Sequence, residues 1–313
     1  MATVPTLTVP FEGPSAWRGE DLVASDEWVH HLTDAEINEL EGALGTITER
    51  GLSLGEVRRE DFRLSELADT IAEWSRELEA GRGFLLVRGL PVARYTEAET
   101  SLIYWGVGQH LGDPIPQNTD GDLLGHVRDT GADPTDPSVR RYRTRMEQSF
   151  HTDGADIVGL LCLATAKAGG SSSIVSSITV FNEVLARRPD LAPLFFEPFS
   201  FDLYEQQAAG QTPYIAMPLG NYFAGRLHTM YIRFYIDQAQ RHAEVPRLTT
   251  EQVELLDLID EIAGDARFHL DMDFQPGDIQ WLSNATILHG RTAYEDDPAN
   301  PRHLLRLWLN RRR

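Results

Sequence analysis

Ten consecutive uncharged residues, Ile157 to Ala166, follow closely on a polar triplet, His151-Thr152-Asp153. The run, IVGLLCLATA, is about half of what a membrane span requires, so it reads as a buried strand. The triplet at its edge constrains the chemistry as well as the fold. In extended chain, residues i and i+2 share a face. His151 and Asp153 are therefore expected to project together, with Thr152 turned away. Two such ligands on one face are half of a metal site or half of a catalytic pair.

Around that run the elements change type along the chain. Residues 1–33 are rich in Pro and Thr and read as an extended lead-in. TDAEINELEGALGTITERG, with Thr33 or Asp34 as cap and apolar Ile37, Leu40, Leu44 and Ile47, predicts a helix. SELADTIAEWSRELEAGRG predicts a second one ending near Gly81, and 96–112 a third, with a strand at 83–90 between them. Residues 113–148 are turn-rich, with one short strand from Leu123 to Arg128, and are read as a lid or substrate loop.

Beyond residue 150 strands dominate: 157–166, 173–178, 199–204, 213–218, 223–235, 267–274, 278–283, Ala285 to His289 and 303–309, with helices at 179–187 and 249–263. Helices followed by many short strands predict an α+β chain, 1–313 as one domain, with a sandwich or barrel core and the helices, 1–82 included, packed against one of its sheets.

Composition narrows the partners. With 28 Lys+Arg against 48 Asp+Glu the chain carries −20, which argues against nucleic acid or an anionic membrane as partner. A lone cysteine, Cys162, sits in the apolar run as a small hydrophobe, so no internal disulfide is possible and a reducing cytoplasm fits. The N-terminus lacks the basic-then-apolar pattern of a signal peptide. A homodimer through an exposed final strand or the N-terminal helices is a further expectation.

Three positions show His-x-acid: His151/Asp153, His242/Glu244 and His269/Asp271. His242 lies in a polar loop. His269, Asp271 and Asp273 share the polar face of an ordinary half-exposed strand. His151/Asp153 differs because an apolar strand follows it and a loop precedes it. Downstream, His289 ends a strand segment, and RHLLRLWL carries Arg302 and Arg306 on one face with Leu304 between them. An arginine aimed from a strand at an apolar interior calls for an anion. Two His and one carboxylate on one face of a metal ion are diagnostic of non-haem Fe(II) oxygenases, and an arginine can clamp a co-substrate carboxylate in bidentate fashion.

These segments resemble one family. FHTDGAD with GGSSSIVSS behind it, and PGDIQWLSNATILHGRTAYED followed by RHLLRLWL, are similar to the TauD/TfdA-like (taurine / 2,4-dichlorophenoxyacetate dioxygenase) family of Fe(II)/2-oxoglutarate-dependent dioxygenases, from about Gly83 to the C-terminus. The resemblance implies a double-stranded β-helix (jelly-roll, cupin-like) core with flanking helices. It implies His151, Asp153 and His289 as iron ligands, and Ser172 with Arg302 on the 2-oxoglutarate C5 carboxylate. Arg306 matches the second family arginine, facing substrate or co-substrate. Gln117 and Asn118 fall where pocket-mouth polar residues stand, or else cap a turn.

The implied reaction takes O₂, Fe(II) and 2-oxoglutarate, and couples decarboxylation to succinate and CO₂ with attack on a small-molecule C–H bond. Hydroxylation of an amino-acid-derived or carboxylated metabolite is the expected outcome. Desaturation or cyclisation in a natural-product pathway is the alternative, and a non-redox Zn cupin, hydrolase or binding protein, the rival from another class. Halogenation is disfavoured because Asp153 fills the position that chloride needs. The arginines at 140, 141, 143 and 145 are read first as solvated loop charges and second as attractors of an anionic substrate. Trp281, Phe150 and Tyr294 are read first as core and second as pocket lining.

Overall fold

The apolar run forms the strand Ile157–Ala164 inside the larger of two facing β-sheets. That sheet runs Val29–His31, Phe84–Arg88, Ile279–Ser283, Ile157–Ala164, His303–Asn310, Asp113–Pro114, with Leu124–Val127 also paired to His303–Asn310. The smaller sheet is antiparallel, in the order His269–Met272, Ser172–Ser176, Ile287–Arg291, Gln148–His151. This computed structural model describes residues 9–118, 120–133, 139–204, 210–223 and 225–312.

Period-two alternation decides which side chains fill the space between the sheets. Phe84, Val158 and Leu282 of the large sheet meet Ile174, Leu270, Met272 and Ile287 of the small one. The outward faces are apolar too, and helices cover both. Asp34–Glu49, Glu66–Ala80 and Glu97–Leu111 lay Leu40, Ile47, Ile71, Trp74 and Ile103 against Leu85, Leu161, Leu305 and Leu307. Ser177–Arg187 and Thr250–Gly264 bring Phe181, Val184, Ile259 and Ile262 onto Val175 and Leu288 of the small sheet. The expectation of helices on one sheet is thus corrected. Val175 and Leu288 point away from the inter-sheet core and are covered from outside, each such side chain contributing about 1.5–3 kcal/mol by its burial.

Helix starts follow their caps. Thr33 accepts from the Glu36 N–H while Glu36 reaches back, and Thr96/Glu99 and Thr249/Gln252 repeat the arrangement. Among the described residues, no helix is long and apolar enough to cross a membrane.

Four further expectations change. The lead-in contributes a strand, Val29–His31, parallel to Phe84–Arg88; its residues 1–8 lie outside the described residues. The strand expected over 223–235 is a hairpin, Gly220–Phe223 with Arg226–Thr229, followed by the helix Arg233–Ala239, where Arg233 pairs with Asp237 one turn on; residue 224 lies outside the described residues. The final strand is no exposed edge, since Ile157–Ala164 pairs on one side and Leu124–Val127 and Asp113–Pro114 on the other, so that route to a dimer is closed. Within the 113–148 loop, two segments are sheet strands, and the turn Arg141–Arg143 lies over a cavity; residues 119 and 134–138 lie outside the described residues.

Candidate metal centre and its two cavities

His151 and Asp153 do not share one strand. His151 ends Gln148–His151 of the small sheet, and Asp153 lies in the link that crosses to Ile157–Ala164 of the large sheet. Their convergence comes from how that crossing is pinned. The Thr152 N–H donates to the Tyr231 carbonyl at 2.8 Å and the Tyr231 N–H to Thr152 Oγ1 at 3.0 Å. The Asp153 N–H donates to Asn284 Oδ1 at 2.8 Å, and Asn284 Nδ2 donates to the Asp153 carbonyl. His289, mid-strand in Ile287–Arg291, is the cross-strand partner of His151, and the ring centroids lie 4.3 Å apart.

The result is a compact cluster. His151 Nε2 is 3.8 Å from Asp153 Oδ1, His289 Nε2 is 3.6 Å from Asp153 Oδ2, and one ligand atom from each residue lies within 4.8 Å of the others. His151 Nδ1 donates to the Ser149 carbonyl at 2.8 Å, which turns the Nε2 lone pair toward the centre. Burial, reinforced by His289, pushes the His151 pKa down to about 4, so the ring is the neutral, ligating form. Burial alone would raise Asp153. Arg306, His289 and His151 outweigh it and hold the carboxyl well below the usual carboxylate range. Trp308 Nε1 donates to Asp153 Oδ2 at 2.9 Å, with Arg306 Nη1 at 3.4 Å. Two imidazoles and a carboxylate suit a divalent first-row metal, and buried His289 Nδ1 has no partner among the described residues.

A small cavity opens beside the cluster, lined by Leu160, Leu304, Ser172, His289, Arg291 and Arg302 among others. Gln280 Nε2 donates to Ser172 Oγ at 3.2 Å. Arg302 donates from Nη2 to the Gly170 carbonyl at 3.4 Å and lies over the Tyr294 ring, while its Nη1 has no partner among the described residues. Arg291, also over the Tyr294 ring, donates from Nη2 to the Thr144 and Met146 carbonyls, and its Nε and Nη1 have no partner among the described residues. Burial and the neighbouring Arg302 push the Arg291 pKa down to about 10. Two buried guanidiniums with orphan N–H groups and no described counter-ion are what a bound dicarboxylate would satisfy. Gly170 makes room: at φ +75°, a Cβ there would stand 3.0 Å from Arg302 Nε.

A second cavity, of about 640 Å³, adjoins on the other side of the cluster, and His151, Tyr142, Gln148 and Arg306 line both. Arg306 Nε donates to Gln117 Oε1 at 2.7 Å, and Gln117 Nε2 to the Arg306 carbonyl at 2.8 Å, so Gln117 orients the arginine. Asn118 lines the large cavity, but its Oδ1 accepts the Asp120 and Asp122 N–H groups and caps the turn. Phe150 lines the large cavity, Tyr294 lies beneath the two arginines and Trp281 is core. Burial pushes the Cys162 thiol up to about 12. His242 is taken up by Asp202 at 2.9 Å, and His269 meets the Ala263 carbonyl at 3.1 Å.

Three contributors escaped the sequence reading. Trp308 was detectable, two residues beyond Arg306 and so on the same strand face. Arg291 stands two residues beyond His289 and was open to the same count. Asn284 leaves no local signal, since its role depends on a partner 131 residues away.

Residues 48–308 match the family profile "Taurine catabolism dioxygenase TauD, TfdA family". The chain belongs to the TauD/TfdA family. FR-33289 synthase of Streptomyces rubellomurinus is 31% identical over 317 residues, covering 98% of this chain and 92% of that protein. The taurine hydroxylase-like protein SAT17 of Stachybotrys chartarum is 29% identical over 93% of this chain and 77% of its own length. Among solved structures, an asparagine oxygenase in complex with Fe(II), 2S,3S-3-hydroxyasparagine and succinate superposes with a TM-score of 0.71 at 16% identity, covering 90% of this chain and 93% of that one. This TauD/TfdA-family chain therefore shares the fold of that oxygenase, and its family membership sets the zinc hydrolase alternative aside.

Proposed function

We propose that this TauD/TfdA-family enzyme is an Fe(II)/2-oxoglutarate-dependent oxygenase that hydroxylates a small molecule, with His151, Asp153 and His289 holding the iron. The carrying observation is the three-residue cluster set directly against a cavity with two buried guanidiniums that keep unpartnered N–H groups among the described residues. Arg302 and Ser172 hold the far carboxylate of 2-oxoglutarate. Arg291 adds positive potential and ties down the 144–146 backbone. The core is read as a double-stranded β-helix within one domain spanning the chain, and the 139–143 segment as the lid of the large cavity. A cytoplasmic location is the matching reading for a chain with one buried thiol.

When bound, Fe(II) with 2-oxoglutarate and O₂ supplies oxidation of a C–H bond while 2-oxoglutarate leaves as succinate and CO₂. The protein's own work is positional. Ser149 fixes the His151 tautomer, and Trp308 with Arg306 keeps Asp153 anionic and in one rotamer. Leu160 and Leu304 give the co-substrate cavity apolar walls that exclude water. Tyr142 and Arg306 stand where the two cavities meet, so substrate is presented from one side and co-substrate from the other.

The test is anaerobic. Fe(II) and then 2-oxoglutarate are added to the wild-type protein and to His289→Ala, and the visible metal-to-ligand charge-transfer band is followed. The band is expected in the wild type alone, with His289→Ala folded but without iron-dependent succinate release. Iron binding without a band in the wild type would remove the Arg302–Ser172 assignment.

A further inference from the structure

Resting on the oxygenase reading, and deepening it, we propose that the substrate carries an oxyanion and no free ammonium, and that Arg140 and Arg141 receive that oxyanion in the large cavity. Arg140, Arg141, Arg233 and Arg306 line this cavity, together with Asp153, Asp202 and Asp237. Arg306 is engaged by Asp153 and Gln117. Arg233 is engaged by Asp237, Asp257 and Asp260. Asp202 holds Arg241, His242 and the Tyr204 N–H. Every carboxylate on the wall is therefore already paired. Arg140 and Arg141 form no ion pair among the described residues, and none of the three carboxylates on this wall faces them as a partner.

The two guanidiniums sit on a built platform. Arg140 lies 5.7 Å from the ring centroids of both Tyr204 and Tyr235, and Arg141 lies 4.7 Å from that of Phe234. Stacking on a ring face supports the guanidinium plane and leaves in-plane N–H groups for an oxyanion; Arg141 spends one of them, donating from Nη1 to the Glu147 carbonyl at 3.3 Å. Tyr204 is the non-glycine residue, among those described, with positive φ (51°), and its N–H is held by Asp202 Oδ1 at 2.7 Å. Such a conformation persists only where the surroundings enforce it, and here it sets the ring under Arg140. Arg140 is half-buried, and burial lowers its pKa, so its cation is under-solvated as it stands. Its neighbours in the arginine cluster differ: Arg145 pairs with Asp129, and Arg143 does not line the cavity, whereas Arg141, though exposed, does.

The remaining wall tells what joins the oxyanion. Phe201, Leu203, Ile215, Met217, Ile232 and Phe234 offer apolar contact. A substrate with an apolar or alkyl body ending in a carboxylate or a phosphorus oxyanion satisfies both parts. A zwitterion would bring an ammonium to a wall whose three carboxylates are already paired with cations, and would find no free anion there to replace its hydration.

Octanoate, hexylphosphonate, octylamine and L-2-aminooctanoate are titrated calorimetrically into the anaerobic Fe(II) protein under saturating 2-oxoglutarate, which blocks the other anion site. At least one of the two anions is expected to bind, and to bind at least about tenfold more weakly to Arg140→Gln/Arg141→Gln, with Arg140→Lys in between. The tighter of the two anions identifies a carboxylate or a phosphorus oxyanion as the recognised group. Failure of both anions to bind, equal binding by the double variant, or aminooctanoate binding as tightly as octanoate overturns the proposal. The charge-transfer band is recorded in the same samples. A band in both proteins with unchanged anion binding sinks this inference alone. Absence of the band in the wild type sinks the oxygenase reading, and anion titration of the metal-free protein then still decides the inference.

Discussion

The two cavities that meet at His151 and Arg306 hold their arginines in opposite ways. In the small cavity Arg291 and Arg302 are 6% and 4% exposed; Arg291 ends a sheet strand, and Arg302 immediately precedes another, its N–H fixed by Asp296 Oδ1, so their positions follow closely from the sheet backbone. In the large cavity Arg140 and Arg141 ride on a short turn and are positioned by aromatic rings from two other segments. Strand-borne groups give one fixed geometry, suited to a ligand that is the same in every turnover. Turn-borne groups can be re-aimed by a few substitutions without touching the sheet, which suits substrate choice.

Substitutions break or sharpen this contrast in a graded way. Arg302→Ala removes the strand-held fork, and the KM for 2-oxoglutarate is expected to rise by roughly a hundredfold while iron binding, followed by equilibrium dialysis, stays within about threefold. A parallel loss of iron would place Arg302 in the metal site instead. Trp308→Phe acts on the shared centre by removing one donor to Asp153, and iron affinity is expected to fall about tenfold or more with little change in 2-oxoglutarate KM at saturating iron. Ser172→Ala should weaken 2-oxoglutarate by about fivefold, the scale of one neutral hydroxyl donor, read as a shift in the titration of the charge-transfer band. Asn118→Ala touches only the turn at the rim. Melting should report about 1 kcal/mol of lost stability or less, and neither ligand should notice; a large change in 2-oxoglutarate binding would put Asn118 inside the site.

Legibility in the sequence divides along the same line. The helices Asp34–Glu49, Glu66–Ala80 and Glu97–Leu111 were readable because caps and apolar spacing are local signals. Arg302, Leu304 and Arg306 were readable as one face because a strand has period two, and all three do line the small cavity. The same rule misled at His151 and Asp153. Both converge, but across a crossing between sheets that Tyr231 and Asn284 pin from far along the chain. The 223–235 segment misled for a related reason: RFYIDQA is aromatic and β-branched enough for a strand, yet Ile236 and Ala239 are buried at helical spacing. The arginine cluster was visible as charge, but nothing local separates Arg140 and Arg141 on their rings from Arg145 on Asp129.

By itself, the sequence determined what depends on residue type and short spacing: an acidic α+β chain, the family, the pair His151 and Asp153 with a distal His289, and an arginine-bearing final strand. Only the tertiary structure decided which groups are left without partners. Whether a guanidinium is paired or waiting depends on which carboxylates the fold brings within about 4 Å, and those come from positions scattered along the whole chain. Among the described residues, that accounting leaves Arg291 and Arg302 in one cavity and Arg140 and Arg141 in the other without a carboxylate partner, while Arg233 and Arg306, of the same residue type, are already spoken for.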